Sequence, residues 1–489
     1  MARGELTSIL KHGQIYAIAN VANRGAALVL IPVYAHVLSP AQFGVYAAIA
    51  ILVDLVSALL GLGLGRALVR LYVERQNDRE RGEVVGTALA AFAALAAVTA
   101  LAAYPLAALG TALFLDDASY AWLIAVAVWG VVFTTFVTIA LNYLVVRKES
   151  GVFLGASMLK AALFIVLNLV FLLVLDWGVG GILLGTLLSS AVVAAVLLVH
   201  IARTARLGFS VPVLRELIAF GGPLVPAVFL DTAIAALDRI ALGSVQGAAP
   251  LGQYGLALRL ATSLQLFLTS PFLQIWGVRQ LEALEREPDD ATLPRIYFHF
   301  VCALSVVALG MALLAPEIVG LIASDEFAFA AAIIPLLALA QIVTALRSFA
   351  EIGIHHAKRT GLLPLVGLAT LAVSVPVYFA GARLYGAVGV AAATCLIAAA
   401  RLGLIAALAS RHTGLLGHFP WGAFAALLAL GVLVYGTASG MLAGLSGLDA
   451  VAGKLLAVAL FAAAAAAPFV FEHRATFARA LQRMAARPR

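Results

Sequence analysis

Asn20, Asn23 and Arg24 lie three and four residues apart in the first long apolar segment, so a helix there carries all three on one face. A charge inside such a segment is costly and points to function. The planar fork of an arginine donates to two oxygens of an anion at once. Other charges interrupt later apolar stretches. Lys160 shares a helix face with Ser157 and Asn168, and Arg401 lies deep in its segment. Arg259 heads a polar stripe of Thr262, Ser263, Thr269, Ser270 and Gln274. Three acids, Asp54, Asp231 and Asp238, are embedded in the same way. The segment holding Asp231 opens with Pro223 and Pro226, which can break the helix and free carbonyls; with the carboxylate these could form a Na⁺ or H⁺ site. Each residue also has a plainer role. Arg24 could cap carbonyls or pair with a buried acid such as Asp54, and the hydroxyls could serve as packing contacts between helices. Lys160 and Arg401 could extend to the interface, and Asp231 could pair with a cation. Asp238, next to Arg239, reads as a structural pair. Arg347 lies four residues before Glu351, the spacing of a helical ion pair, and Lys454 reads as an interfacial anchor.

These residues require membrane-spanning helices to position them. Of the 489 residues, 64% are hydrophobic and 11% charged, against roughly a quarter charged in soluble domains. Mean hydropathy is +1.07. Apolar runs of bilayer length recur throughout, and the pattern predicts about fourteen transmembrane helices. No cleavable leader is expected, because Met1-Ala2-Arg3-Gly4-Glu5 leads through Lys11-His12 into a segment long enough to span. The cysteines, Cys302 and Cys395, both fall in apolar segments and read as small core residues.

With a cytoplasmic N-terminus, 23 of the 31 Lys and Arg fall on one side, Arg383 alone lies in the opposite loops, and seven lie within spans. This asymmetry predicts that both termini are cytoplasmic. It also accounts for the formal charge of +7 without a nucleic-acid partner. Loops are too short for a soluble domain. No GxxxxGK[ST] loop is present; Gly61-Leu62-Gly63-Leu64-Gly65 lacks the lysine, so no built-in ATPase is expected.

A repeat is visible at an offset of 208 residues. Gly44-Val45-Tyr46 recurs as Gly252-Gln253-Tyr254, and Gly178 to Gly181 as Gly386 to Gly389, each at the same helix boundary. Six spans per unit makes the halves parallel, related by a pseudo-twofold axis along the membrane normal. The expected architecture is all-α: an N-terminal lobe over 1–209 (spans 1–6), a C-terminal lobe over 210–415 (spans 7–12), and a further helix pair with a basic tail over 416–489. The offset places Asn23 opposite Asp231 and Arg24 opposite Thr232, so the first and seventh helices present equivalent but chemically different faces.

Asn23-Arg24, Pro32-Val33, Leu38-Ser39-Pro40 and Phe43-Gly44-Val45-Tyr46, with a charged loop after the second span, resemble the Wzx-type polysaccharide flippases. Phe220-Gly221-Gly222-Pro223-Leu224-Val225-Pro226, Asp238-Arg239 and Gly252-Gln253-Tyr254 carry the resemblance into the second half. These flippases belong to the superfamily that also holds lipid II flippases and MATE antiporters. The resemblance implies transfer of an undecaprenyl-pyrophosphate-linked oligosaccharide between the leaflets of the bacterial inner membrane, by alternating access around a cationic cavity. It implies a transporter rather than an enzyme, with no cofactor beyond Na⁺ or H⁺ coupling. Polysaccharide polymerase and export machinery are the expected partners of a monomer. Arginines of the family's first and eighth helices line the cavity, which maps onto Arg24 and Arg259. Asn20, Asn23, Lys160, Arg401, Thr262 and Ser263 complete the expected substrate set, and Asp231 and Asp54 are the candidates for ion coupling.

Substrate chemistry gives an independent reason for such a cavity, since a pyrophosphate must cross about 30 Å of hydrocarbon. Four deep cations facing lipid would cost on the order of 10 kcal/mol, so a watered cavity is the simpler place for them. A lipid II flippase is the nearest alternative. A multidrug antiporter would favour an acidic, aromatic cavity, and a membrane-embedded glycosyltransferase or polymerase would show acidic motifs on larger loops.

Overall fold

The computed structural model describes residues 25–61, 63–114, 118–274, 292–357, 361–411, 413–442 and 447–472, with isolated positions 19, 22, 276, 280 and 359. Among them the chain is helical throughout, with no strand. Eleven described helices are long and apolar enough to cross a membrane. The difference from fourteen has physical sources. The first apolar helix, α1, is described only over Gly25–Val37. The 23-residue helix Leu224–Gln246 holds Asp231, Asp238 and Arg239 in every 18-residue window. One 48-residue run, Leu362–Ala409, contains a break at Gly386, where φ is 57° and ψ −138°.

Contacts divide the chain into two compact units, Met1–Gly255 with Ile322–Glu326, and Leu256–Leu321 with Phe327–Arg489. In the first unit α1 leads into α2 (Pro40–Leu60), whose start is set by sequence: Pro40 is at N1, Ser39 Oγ accepts the Gln42 amide, and Gln42 Oε1 accepts the Ser39 amide. This reciprocal box satisfies two otherwise orphaned donors. Gly63, at φ 63°, then turns the chain into the amphipathic α3 (Leu64–Glu74). There follow α4 (Asp78–Leu101), α5 (Ala103–Phe114), α6 (Ala121–Val146), α7 (Ser150–Leu169) and α8 (Gly178–Thr204). A π-helical turn, Val170–Val174, extends α7. The short α9 (Val211–Gly221) is amphipathic and packs on α3: Arg75 pairs with Glu216 at 2.6 Å and Arg70 lies 4.6 Å over the Phe220 ring. Gly222 and Pro223 interrupt the helix before α10 (Leu224–Gln246), the break that the prolines predicted.

The 208-residue repeat has a structural counterpart. Gly178 and Gly386, one repeat apart, both take positive φ (51° and 57°) at the start of a helix segment. Helix α11 (Ala248–Leu264, extended by the π-helical turn Gln265–Thr269) crosses α2 at the other repeated pair. A Cβ on Gly44 would lie 1.8 Å from the Ala248 carbonyl oxygen, and one on Gly252 would lie 1.9 Å from that of Pro40. Pro40 and Ala248 are themselves 208 residues apart. The crossing is therefore the same contact made twice, once from each helix, as a local twofold demands.

The second unit contains the rest of α11 with α12 (Thr292–Leu313), α13 (Ala315–Ile322), α14 (Ala330–His356), α15 (Leu362–Ala409), α16 (Trp421–Met441) and α17 (Leu448–Glu472). Its core includes an aromatic cluster of Tyr297, Phe349 and Phe419, and α14 packs along α15. The predicted Arg347–Glu351 pair forms, at 3.5 Å. Lys454 is not simply an interfacial anchor: it bonds to Glu317 and so ties α17 to α13.

Candidate functional site

Asn20, Asn23 and Arg24 lie outside the described residues. The described candidates fall in both units. In the first, Lys160 is the eleventh residue of α7, about 15 Å along a helix rising 1.5 Å per residue. The buried positions of α7 (Phe153, Ser157, Ala161, Asn168) recur at helical spacing, and Lys160 is on that side, half-buried. Among the described residues it has no hydrogen-bond or ion-pair partner. Ser157, one turn earlier, is 1% exposed and its hydroxyl is unpaired. At the far end of this face, Asn168 is fully buried and accepts a 2.7 Å hydrogen bond from Tyr34 of α1. Asn168 also donates to the Phe164 carbonyl, and Gly185 of α8 leaves room for its amide. One face of α7 thus carries a satisfied amide, an unsatisfied hydroxyl and an unpaired ammonium.

Asp54 on α2 and Asp231 on α10 both have exposed side chains, although each sits within an apolar helix. Thr232 beside Asp231 donates to the Val228 carbonyl of its own helix. Asp238 behaves differently. It is 5% exposed, with Oδ2 accepting from Tyr254 at 2.8 Å and Oδ1 accepting the Arg239 amide at 2.7 Å. The Arg239 guanidinium lies 3.5 Å from the same carboxylate, so this acid is neutralised by its neighbours.

The Gly252-Gln253-Tyr254 motif is used residue by residue. Gly252 admits the Pro40 backbone, Gln253 donates to the Glu326 carbonyl at 3.2 Å, and Tyr254 holds Asp238. The Ser324 amide donates to Ala35 of α1, so the 322–326 segment is fastened at two points. Sequence reasoning missed the roles of Tyr34 and Tyr254, since each bonds a partner on another helix that no local spacing reveals. Both bonds are buried, but only one acceptor is charged. Hydrogen bonds to charged groups contribute roughly 1.5–3 kcal/mol, against about 1 for neutral pairs. Tyr254→Phe is expected to lower the thermal midpoint more than Tyr34→Phe, a ranking that thermal unfolding of the two purified variants checks.

In the second unit, Arg259 and Arg401 are half-buried on α11 and α15. The Thr262 and Ser263 hydroxyls donate to the carbonyls of Arg259 and Leu260, three residues back on their own helix. The expected polar stripe is divided by the π-helical turn at Gln265–Thr269, beyond which Thr269 is buried and Gln274 exposed.

Residues 33–328, more than half of the chain, match the model of a family described as polysaccharide biosynthesis protein. No match was found among curated proteins. Among solved structures, the lipid II flippase MurJ in an inward closed conformation is similar at 13% identity and TM-score 0.72, covering 93% of this chain and 99% of its own. An inward-facing multidrug resistance MATE family transporter of the MOP superfamily is similar at 16% identity and TM-score 0.63, covering 81% of this chain and 94% of its own. A MOP superfamily transporter from Pyrococcus furiosus, with a binding pocket of reverse polarity, is similar at 17% identity and TM-score 0.54, covering 83% and 96%. The chain belongs to the polysaccharide biosynthesis protein family, and its fold is that of the MOP superfamily of flippases and transporters.

Proposed function

We propose that this flippase carries an undecaprenyl-pyrophosphate-linked oligosaccharide from the cytoplasmic to the periplasmic leaflet of the inner membrane. The observation that carries the reading is Lys160, a cation at mid-span on the inward face of its helix with no partner among the described residues. A polysaccharide-biosynthesis flippase has one use for such a charge: an anionic head group that arrives and leaves. Arg24, flanked by Asn20 and Asn23, takes the pyrophosphate with Lys160. Arg259 and Arg401 extend the cationic lining on the other lobe, where Thr262 and Ser263 offer hydroxyls to sugars. The two six-helix lobes, 1–209 and 210–415, alternate access to this cavity, with both termini cytoplasmic. Asp231, an exposed carboxylate on an apolar helix, takes the coupling Na⁺ or H⁺, with Asp54 as the second acid. The protein works as a monomer and hands its product to a polymerase.

The test is genetic and then biochemical. Deletion is expected to remove surface glycan while peptidoglycan synthesis continues; the opposite pattern identifies a lipid II flippase instead. Arg24→Ala is expected to abolish glycan export at unchanged protein level. Arg24→Lys restores it only in part, because an ammonium replaces a two-pronged donor. Wild-type export by Arg24→Ala removes the residue from the mechanism. Reconstituted transfer under imposed Na⁺ or H⁺ gradients, compared between wild type and Asp231→Asn, identifies the ion.

A further inference from the structure

At the basic end of the first unit lies a cavity of about 590 Å³ that the transport reading does not use. Four cations line it, Arg81, Arg147, Lys148 and Arg206, together with Tyr72 and Tyr143 and one carboxylate, Asp78. The two tyrosine rings meet edge to face at 5.9 Å, and Arg81 and Arg147 lie 5.2 and 5.6 Å over them. Two guanidinium groups are fixed in place. Arg81 Nε donates to the Arg75 carbonyl at 3.0 Å, while Arg147 is held by Glu149, the Tyr143 hydroxyl and the Thr204 carbonyl. Lys148 and Arg206 have no acidic partner among the described residues. With Arg147 set against Glu149 and one cation against Asp78, two positive charges remain uncompensated.

A basic loop bias alone does not build such a cavity, because cations on separate loops repel one another. Here the backbone draws them together. A Cβ on Gly82 would lie 1.9 Å from the Arg206 carbonyl oxygen and one on Gly86 2.2 Å from that of Gly208, while the Gly208 amide donates to the Gly82 carbonyl. The chain after α8 is thereby pressed onto the first turns of α4, and like charges are gathered around a space. Gathering like charges costs free energy unless an anion occupies that space.

We propose that this cavity binds a phosphate group, with guanidinium forks and an ammonium as its donors and a charge that matches a phosphate of one to two negative charges. An anionic phospholipid head group or a free phosphate compound fits this chemistry. The site shares no residue with the proposed substrate set, so it holds or fails independently of the transport reading.

The test uses the full-length purified protein in detergent, with short-chain phosphatidylglycerol, short-chain phosphatidylcholine and inorganic phosphate as probes. Lys148 sits at φ 60°, where asparagine is well tolerated, so Lys148→Asn removes the charge without adding strain. Phosphatidylglycerol is expected to bind the wild type and to lose about tenfold or more in affinity, about 1.4 kcal/mol, in Lys148→Asn/Arg206→Gln. Arg203→Gln, at the same end but outside the cavity lining, is expected to bind like wild type. Wild-type binding should also weaken as salt is raised, a measurement that needs no variant to fold. Phosphatidylglycerol binding far stronger than that of inorganic phosphate assigns the site to a lipid head group, and equal binding assigns it to a soluble phosphate. Unchanged phosphatidylglycerol affinity in the double variant, or equal binding of phosphatidylcholine, overturns the proposal.

Discussion

Lys160→Met is expected to raise the thermal midpoint of the protein and, in the same molecule, to abolish glycan export. The two effects have one cause. An ammonium half-way along a membrane helix, with no partner among the described residues, is a charge removed from water for little return. Insertion scales put the cost of a mid-membrane lysine at roughly 2.5–3.5 kcal/mol, and the cavity side of α7 recovers part of it. Methionine is unbranched and of similar length, so it fills the same space without the charge. A structural lysine gives the opposite sign, because its loss strands a partner. Lys160→Arg keeps the charge and is expected to retain part of the export. Three measurements decide the case: the unfolding midpoint, the protein level and surface glycan. A stabilised variant with full export removes Lys160 from the substrate path, and a destabilised one makes it a structural residue.

The features that sequence made legible are local ones. Ser39-Pro40 with Gln42 announces a helix start because the capping box needs only residues three apart. Arg347 and Glu351 find each other because a helix sets them one turn apart. Gly178 and Gly386 could be matched because a positive φ strongly favours glycine in both copies of the repeat. The less legible features are long-range or break the helical period. Tyr34 meets Asn168 across 134 residues, and Lys454 meets Glu317 across 137, with nothing local in either stretch to name the partner. The stripe headed by Arg259 was drawn at 3.6 residues per turn, but the π-helical turn after Leu264 widens the helix and rotates everything beyond it. Thr269 therefore turns inward while Gln274 turns out. Thr262 and Ser263 lie before the turn, yet their hydroxyls are spent on their own backbone, a choice that residue type leaves open.

The crossing of α2 and α11 gives the other large expected effect. Gly44→Val is expected to abolish export while the protein is still made and inserted. The obstacle at Gly44 is the backbone carbonyl of Ala248, which no side-chain rotation can move, so even one added carbon forces the helices apart. Gly252→Val meets the Pro40 carbonyl in the mirror-related contact and is expected to have the same effect. Because both substitutions open one crossing, the double variant should be no worse than either alone, which independent sites would not give. Gly255→Ala is the control, since its nearest new neighbour is the Ala47 side chain at an ordinary 3.4 Å. Separation can be read directly from a cysteine placed at Ser324, whose amide is bonded to Ala35 beside the crossing. In a background lacking Cys302 and Cys395, that thiol should be labelled slowly in an otherwise wild-type protein and rapidly in Gly44→Val. Rapid labelling with export intact would show that the contact opens without consequence. Slow labelling with export lost would move the cause elsewhere. Only rapid labelling together with lost export makes the close approach of these two glycines a working part of the transport cycle.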